Sequence, residues 1–216
     1  MIYVSATNRK LTEKYVDSAV LGLPNAIKLQ PIDIINKKDA TKVVMFGVLR
    51  GTHLVYKWAE KNKIDFYYID RPYWGETRNH PYYVKIVKNG HLKNWIEKRP
   101  YDRFENSFPW PIKPWKKNGK NIIVCPPSNA MKEFFNVHDW LENTLKTLKQ
   151  NTDRPIIVKN KGYNPIIGYD KNGGYIVTGK DNQKPSGPID WDNAYAVVTY
   201  NSNITLEATT RGIPCF

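Results

Sequence analysis

A chain of 216 residues can bury one sizeable core or divide into two small lobes. Its 33 Lys and Arg against 20 Asp and Glu leave a net charge of +13, which draws polyanions such as nucleic acid, nucleotides or acidic lipid headgroups. A hydrophobic fraction of 41% with 13% aromatic residues excludes a wholly disordered chain.

The chain opens on a short strand-like Ile2-Tyr3-Val4 and not on a signal peptide. No apolar run approaches the roughly eighteen residues of a membrane-spanning helix, so the expectation is a soluble, cytoplasmic protein. Residues 43–49 form a continuous apolar run, as expected of a strand covered on both faces, and Arg50-Gly51-Thr52 then turns the chain. Leu54, Val55, Trp58 and Ala59 follow at helical spacing, and residues 65–70 predict the next strand, ending at Arg71-Pro72. Such a strand, helix, strand unit closes by a right-handed crossover.

From Pro72 to Gly119 the pattern is irregular, broken by prolines and tryptophans. It holds a partly alternating run over 82–87, the turn Asn89-Gly90 and an expected helix over 92–97. The Pro-, Lys- and Trp-rich stretch 111–120 is the preferred boundary, giving domains 1–115 and 116–216. Regular alternation resumes with a strand at 121–125, which ends in Pro126-Pro127-Ser128-Asn129. Asp139 is placed to cap a helix whose Trp140, Leu141, Leu145 and Leu148 share a face. Residues 155–159 read as a strand. Residues 162–188, dense in Gly, Pro, Asn and Lys, read as a mobile surface excursion with one short strand at 175–177. Residues 194–200 predict a strand, Asn201-Ser202-Asn203 opens a helix through Glu207 to Arg211, and 212–216 begins another strand. Cys125 and Cys215 have neither the number nor the spacing of a disulfide framework or zinc site, and read as buried free thiols.

In a parallel α/β sheet, ligands bind beyond the carboxyl ends of the strands, and that rule selects the candidates. Small hydroxyl and amide side chains at a helix start can hold a phosphate on unspent backbone N–H groups, which singles out Asn201, Ser202 and Asn203; ordinary N-capping is the other reading of the same residues. Ser128 sits at a second strand end. Lys159 and Lys161 follow a strand and could neutralise a diphosphate leaving group, or be solvated surface lysines. Arg50, Gly51 and Thr52 offer an anion or sugar contact at a strand-to-helix turn, without a Walker or dinucleotide sequence. Asp70, followed by Arg71, is a candidate general base on an acceptor hydroxyl, and His53 a second one; a lone Asp is also often structural. His80, His91 and His138 have no partner spacing and read as surface or capping residues. No His, Cys and Asp grouping has metal-ligand spacing, so neither metal nor cofactor is expected. The basic middle (Lys85, Lys88, Lys93, Lys98, Arg99, Arg103, Lys113, Lys116, Lys117 and Lys120) is interleaved with aromatic residues, a composition suited to phosphates and stacked bases, or simply a solvated charged face.

The run 194–214, Ala194-Tyr-Ala-Val-Val-Thr-Tyr-Asn-Ser-Asn-Ile-Thr-Leu-Glu-Ala-Thr-Thr-Arg-Gly-Ile-Pro214, resembles the donor-site segment of GT-B glycosyltransferases, especially the capsular polysaccharide and Kdo-transferase-like group. Phe46-Gly-x-x-Arg-Gly51 and Phe66-Tyr-Tyr-Ile-Asp70 also resemble the N-terminal lobe of that group. The resemblance implies an α/β fold of two Rossmann-like lobes of mostly parallel sheet, the C-terminal lobe here short or truncated. It implies a nucleotide-sugar donor (UDP-, GDP- or CMP-linked) and transfer to a hydroxyl without an obligatory metal. Under it, Ser202 and Asn203 meet the donor diphosphate, Glu207 the sugar or ribose hydroxyls, and Lys159 the phosphate. The expected function is therefore glycosyl transfer, the acceptor being a hydroxylated base in DNA or a polysaccharide. The alternative is a non-enzymatic, basic nucleic-acid-binding protein.

Overall fold

Runs rich in Val, Ile, Tyr and Phe become strands, and segments with apolar residues every three to four positions become helices. This computed structural model describes residues 1–7, 10–49, 51–71, 84–92, 111–160, 165–169, 175–180 and 186–216, with 165–169 and 175–180 described as backbone. The chain falls into two compact units, Met1–Glu97 with Gly168–Ile176 and Lys98–Ile167 with Val177–Phe216.

The first unit runs β1 (Ile2–Ser5), α1 (Lys10–Gly22), β2 (Ala26–Leu29), α2 (Pro31–Ile35), β3 (Lys42–Phe46), α3 (Thr52–Lys61), β4 (Asp65–Asp70) and β5 (Lys85–Lys88). Its sheet has the order β2-β1-β3-β4-β5; the first four strands are parallel, and β5 pairs antiparallel with β4. Val43, Met45, Phe66 and Tyr68 are buried, and Val55 and Ala59 of α3 are buried with them. The larger of these side chains each contribute roughly 1.5–3 kcal/mol by leaving water, and Ala59 less. The expected strand, helix, strand unit is therefore present. The sequence reading passed over α1, β2 and α2, because β2 is a four-residue strand with Lys28 exposed and α2 is a five-residue helix started by Pro31, both too short to show a period. Of the partly alternating run over 82–87, residues 85–87 lie in β5, and 82–83 lie outside the described residues. Arg50, Lys161, His80, Lys93, Lys98, Arg99, Arg103 and all but Leu92 of the helix expected over 92–97 lie outside the described residues.

The second unit contains β6 (Asn121–Cys125), α4 (Asn129–Phe135), α5 (Trp140–Asn151) and β7 (Ile156–Val158). β8 (Pro165–Tyr169) and β9 (Tyr175–Lys180) form a separate two-stranded sheet, so the stretch 162–188 carries two strands where one short strand was expected. β10 (Ala194–Thr199) and α6 (Ile204–Thr210) follow. The three-stranded sheet has the order β10-β6-β7, all parallel, and Cys215 bridges to Val197 beside it. Ile123, Val197, Ala194, Ala208 and Ile213 make its core.

Two expectations are corrected here, the cap at Asp139 and the burial of Cys215. Asp139 occupies the cap position of α5 but its side chain makes no cap hydrogen bond. No residue of α5 is buried: its apolar face is only half covered, because Trp140 and Leu148 line an open cavity. Cys125 is buried but Cys215 is half-buried, its thiol pushed up by burial against a weaker opposing bond from Thr209.

Residues 111–120 are strapped to the second unit by backbone hydrogen bonds from Lys113 to Thr210 (3.0 Å), Lys116 to Gly212 (2.7 Å) and Lys120 to Asn193 (2.9 Å). Gly212, at φ +73°, is required there: a Cβ would stand 2.0 Å from the Pro114 carbonyl oxygen.

Candidate functional site

The two units present separate sets of polar groups at strand ends. In the first unit, Asp70 closes β4, and one backbone and one side-chain donor fix its two oxygens. Oδ1 accepts from the Arg71 amide at 2.8 Å and Oδ2 from the Tyr68 hydroxyl at 2.8 Å. The antiparallel register puts Lys85 of β5 opposite Asp70, with Nζ 3.6 Å from Oδ2. Lys85 also lies 5.2 Å from the centre of the Tyr68 ring. Burial pushes its ammonium below the usual lysine range, and Asp70 opposes that shift. The His91 ring also packs on Tyr68, 4.8 Å away centre to centre. Burial, reinforced by the charge of Lys85 and opposed by Asp70, holds its imidazole down at about 4, so His91 is neutral at neutral pH. The result is a carboxylate with two fixed donors, a cation beside Oδ2 and a spare lone pair on Oδ1. Such a group can accept a proton from a bound hydroxyl.

Other candidates in this unit have different surroundings. Gly51 and Thr52 are buried and build the turn into α3: Gly51 takes φ +90°, a Cβ on it would stand 3.2 Å from Pro31 Cβ, and the Thr52 hydroxyl donates to the Leu49 carbonyl at 2.6 Å. His53, at 2% exposure, is enclosed in the packing of α3. None of these three faces solvent.

In the second unit, β10 ends at Thr199, whose hydroxyl donates to the Cys125 carbonyl at 2.6 Å and ties the ends of β10 and β6 together. The chain then turns through Tyr200, Asn201, Ser202 and Asn203 into α6. Asn203 is at the cap position without a side-chain cap bond, while Ser202 Oγ accepts from the Ile204 amide at 3.3 Å. The capping reading of Ser202 is thus present in the structure, and its hydroxyl proton remains available to a second acceptor. The amides of Ser202 and Asn203 donate to no partner among the described residues. Asn201 and Ser202 are half-buried, and Asn203 and Glu207 are exposed, so the turn opens to solvent. Ser128 is an N-cap for α4, accepting from the Met131 amide at 3.4 Å. Lys159 directs its ammonium to the carbonyls of Ser186 (3.0 Å) and Pro188 (2.8 Å), leaving one N–H for an anion.

Several residues that spacing did not flag stand around these groups. Tyr200, next to Asn201, packs edge-on against Phe135 (5.3 Å) and Trp140 (6.4 Å). Trp140 in turn lines a cavity of about 740 Å³ between α5 and β10, together with Val137, His138, Leu148, Tyr195 and Val198. Ser202, Asn203, Glu207 and Lys159 are not among the residues lining that cavity; Tyr200 is the link between it and the turn. In the first unit, Lys85, His91 and Tyr68 were missed as a group around Asp70. His91, expected at the surface, is half-buried against Tyr68, and His138 stands 3.7 Å from Glu133. The signal that could have found the group is the alternation of β4, which puts Tyr68 and Asp70 on one face. Among the described residues, no three His, Cys, Asp or Glu side chains gather as a metal site, and no helix is long and apolar enough to cross a membrane.

No protein-family model and no curated protein matches the chain. Among solved structures it is similar to KpsC of Thermosulfurimonas dismutans, described as a beta Kdo 2,7 transferase, at 13% identity and a TM-score of 0.51. The match covers 99% of this chain and 77% of that one. At that identity the likeness is one of fold: a mixed α/β, Rossmann-like architecture of mostly parallel sheet, shared across the length of the chain with a glycosyltransferase.

Proposed function

We propose that this protein is a GT-B-like glycosyltransferase that moves a sugar from a nucleotide-sugar donor to a hydroxyl acceptor without an obligatory metal. The observation that carries the reading is the solvent-facing turn after β10, where the Ser202 and Asn203 amides and the Ser202 hydroxyl proton are available together. Three donors converging at a strand end suit a diphosphate. In the reaction, the bond from the sugar's anomeric carbon to the diphosphate oxygen breaks and the bond to the acceptor oxygen forms. The leaving diphosphate carries the electron pair and is stabilised by those donors and by the remaining N–H of Lys159. The acceptor's proton is assigned to Asp70 of the first unit, whose Oδ1 accepts the Arg71 amide alone and keeps a lone pair. Glu207, exposed in the first turn of α6, is assigned to sugar or ribose hydroxyls, since its charge disfavours a place beside phosphate. The aromatic wall of Tyr200 and Trp140 and the adjoining cavity suit the nucleoside.

The likeness of fold to a Kdo transferase supports a carbohydrate acceptor, while the net charge of +13 favours a polyanionic one such as DNA bearing a hydroxylated base. The same charge favours the second reading, a basic nucleic-acid-binding protein without activity. A thermal-shift screen of UDP-, GDP- and CMP-sugars and their diphosphates separates enzyme from binder. The proposal expects at least one to stabilise the protein, and Ser202→Ala with Glu207→Ala to abolish the shift. Absence of any shift, or a shift that the double variant retains, would remove the donor assignment. Labelled sugar offered with hydroxymethylated DNA, unmodified DNA and oligosaccharide then identifies the acceptor.

A further inference from the structure

Residues 111–120 carry an arrangement that glycosyl transfer does not use. Pro111 and Pro114 hold φ near the polyproline value, where the backbone repeats every three residues. Two of the strap's hydrogen bonds have that spacing. Lys113 and Lys116, three apart, both donate their amides to the second unit, at Thr210 and Gly212. Ile112 and Trp115, also three apart, are left outside, 60% and 63% exposed. The strap cannot collapse to cover them, because its backbone is bonded at both ends and Gly212 is pressed against Pro114.

Cations surround this apolar pair. Lys113, Lys117 and Lys120 are exposed on the strap itself. Arg211, between the two strap partners Thr210 and Gly212, is exposed with its guanidinium 5.1 Å from the Trp191 ring centre. Lys116 is turned inward to the carbonyls of Trp191 and Asp192. The acidic groups nearby, Asp190 and Asp192, are fewer, and Asp190 is engaged by Asn193 at 2.7 Å.

We propose that residues 111–120 seat the protein on an anionic lipid surface, with Ile112 and Trp115 entering the boundary between headgroups and acyl chains and the lysines meeting lipid phosphates. An indole is suited to that boundary, and basic residues beside it add attraction to anionic headgroups. A single-stranded nucleic acid would use the lysines and stack on Trp115, but it gives Ile112 nothing to do. An aliphatic side chain held outward next to a tryptophan gains only where hydrocarbon begins. This inference stands apart from the transferase reading and survives its failure.

The test is co-sedimentation of the full chain with phosphatidylcholine vesicles, with and without about 30 mol% phosphatidylglycerol. The expected result is about tenfold or more protein on the anionic vesicles at low salt. Trp115→Ala keeps every charge and is expected to lower that binding about fivefold or more, with Ile112→Ser acting in the same direction. Lys113→Glu with Lys117→Glu lowers it by at least as much, and this pair tests the surface independently. All these side chains are exposed, and a thermal unfolding midpoint for each variant checks that the fold is kept. No binding to anionic vesicles overturns the proposal, as does binding that Trp115→Ala leaves unchanged. Tighter binding to single-stranded oligodeoxythymidine than to vesicles, lost with Trp115→Ala, also overturns it and gives the surface to nucleic acid.

Discussion

Lys85 stands directly across the antiparallel pair from Asp70, its ammonium 3.6 Å from the carboxylate that also accepts the Tyr68 hydroxyl. A half-buried cation and two fixed donors hold that carboxylate in one orientation. Replacing Asp70 by Asn preserves the acceptor for Tyr68 but removes the proton acceptor. Transfer is expected to fall about 100-fold or more, within the range for loss of a general base, with donor binding unchanged. Steady-state kinetics on the identified acceptor check this; a variant that retains full turnover would show that Asp70 only braces the end of β4.

His91 links stability to pH. Its imidazole is held at about 4 against an ordinary 6.5, so between those values the unfolded chain carries a proton that the native chain does not. Stability therefore falls as pH drops through that window and is fully retained above it. After a discount for the ring's partial exposure, the loss attributable to this group is about 1 kcal/mol. Urea unfolding of the wild type and His91→Gln at pH 7 and pH 4.5 measures it: the wild type is expected to lose more on acidification, since carboxylates common to both cancel.

Gly212→Ala puts a Cβ 2.0 Å from the Pro114 carbonyl oxygen at a residue with φ +73°. Backbone has to move, and the expected cost is about 2–4 kcal/mol. A lowered urea midpoint with unchanged slope is the expected signature, and a cost under about 0.5 kcal/mol would mean that the strap yields freely.

Lys159→Met removes two hydrogen bonds to the carbonyls of Ser186 and Pro188. Each is worth about 1 kcal/mol or somewhat more with a charged donor, so a loss of about 2 kcal/mol is expected. If Lys159 also meets the donor phosphate, the thermal shift given by the nucleoside diphosphate shrinks as well. Destabilisation with an undiminished shift assigns this lysine to loop anchoring alone.

The parts of the fold legible in the sequence are those with long, one-sided signals. The continuous apolar run at 43–49, the helix carrying Val55 and Ala59, and the strands near 121–125, 155–159 and 194–200 all depend on local periodicity. The turn at Ser202 was legible for the same reason, being a cluster of small polar residues directly after a strand. What escaped depends on pairing between distant segments. Nothing in the spacing of Asp70 and Lys85 says that β5 returns antiparallel and brings them together, nor that His91 packs on Tyr68. The shared face of α5 was legible from its period, but its surroundings were not: part of that face borders an open cavity. The anchoring of Lys159 by Ser186 and Pro188 spans 27 and 29 residues and has no local trace.

The strap over 111–120 also determines where the second unit can be cut. Its amides supply Thr210, Gly212 and Asn193 with the donors their carbonyls need, and its Pro114 fills the space beside Gly212. A polypeptide begun at the first residue of β6 would expose the carbonyls of Thr210 and Gly212 and the seam above α6. Recombinant excision of this half for crystallisation or NMR therefore has to start upstream of Pro111.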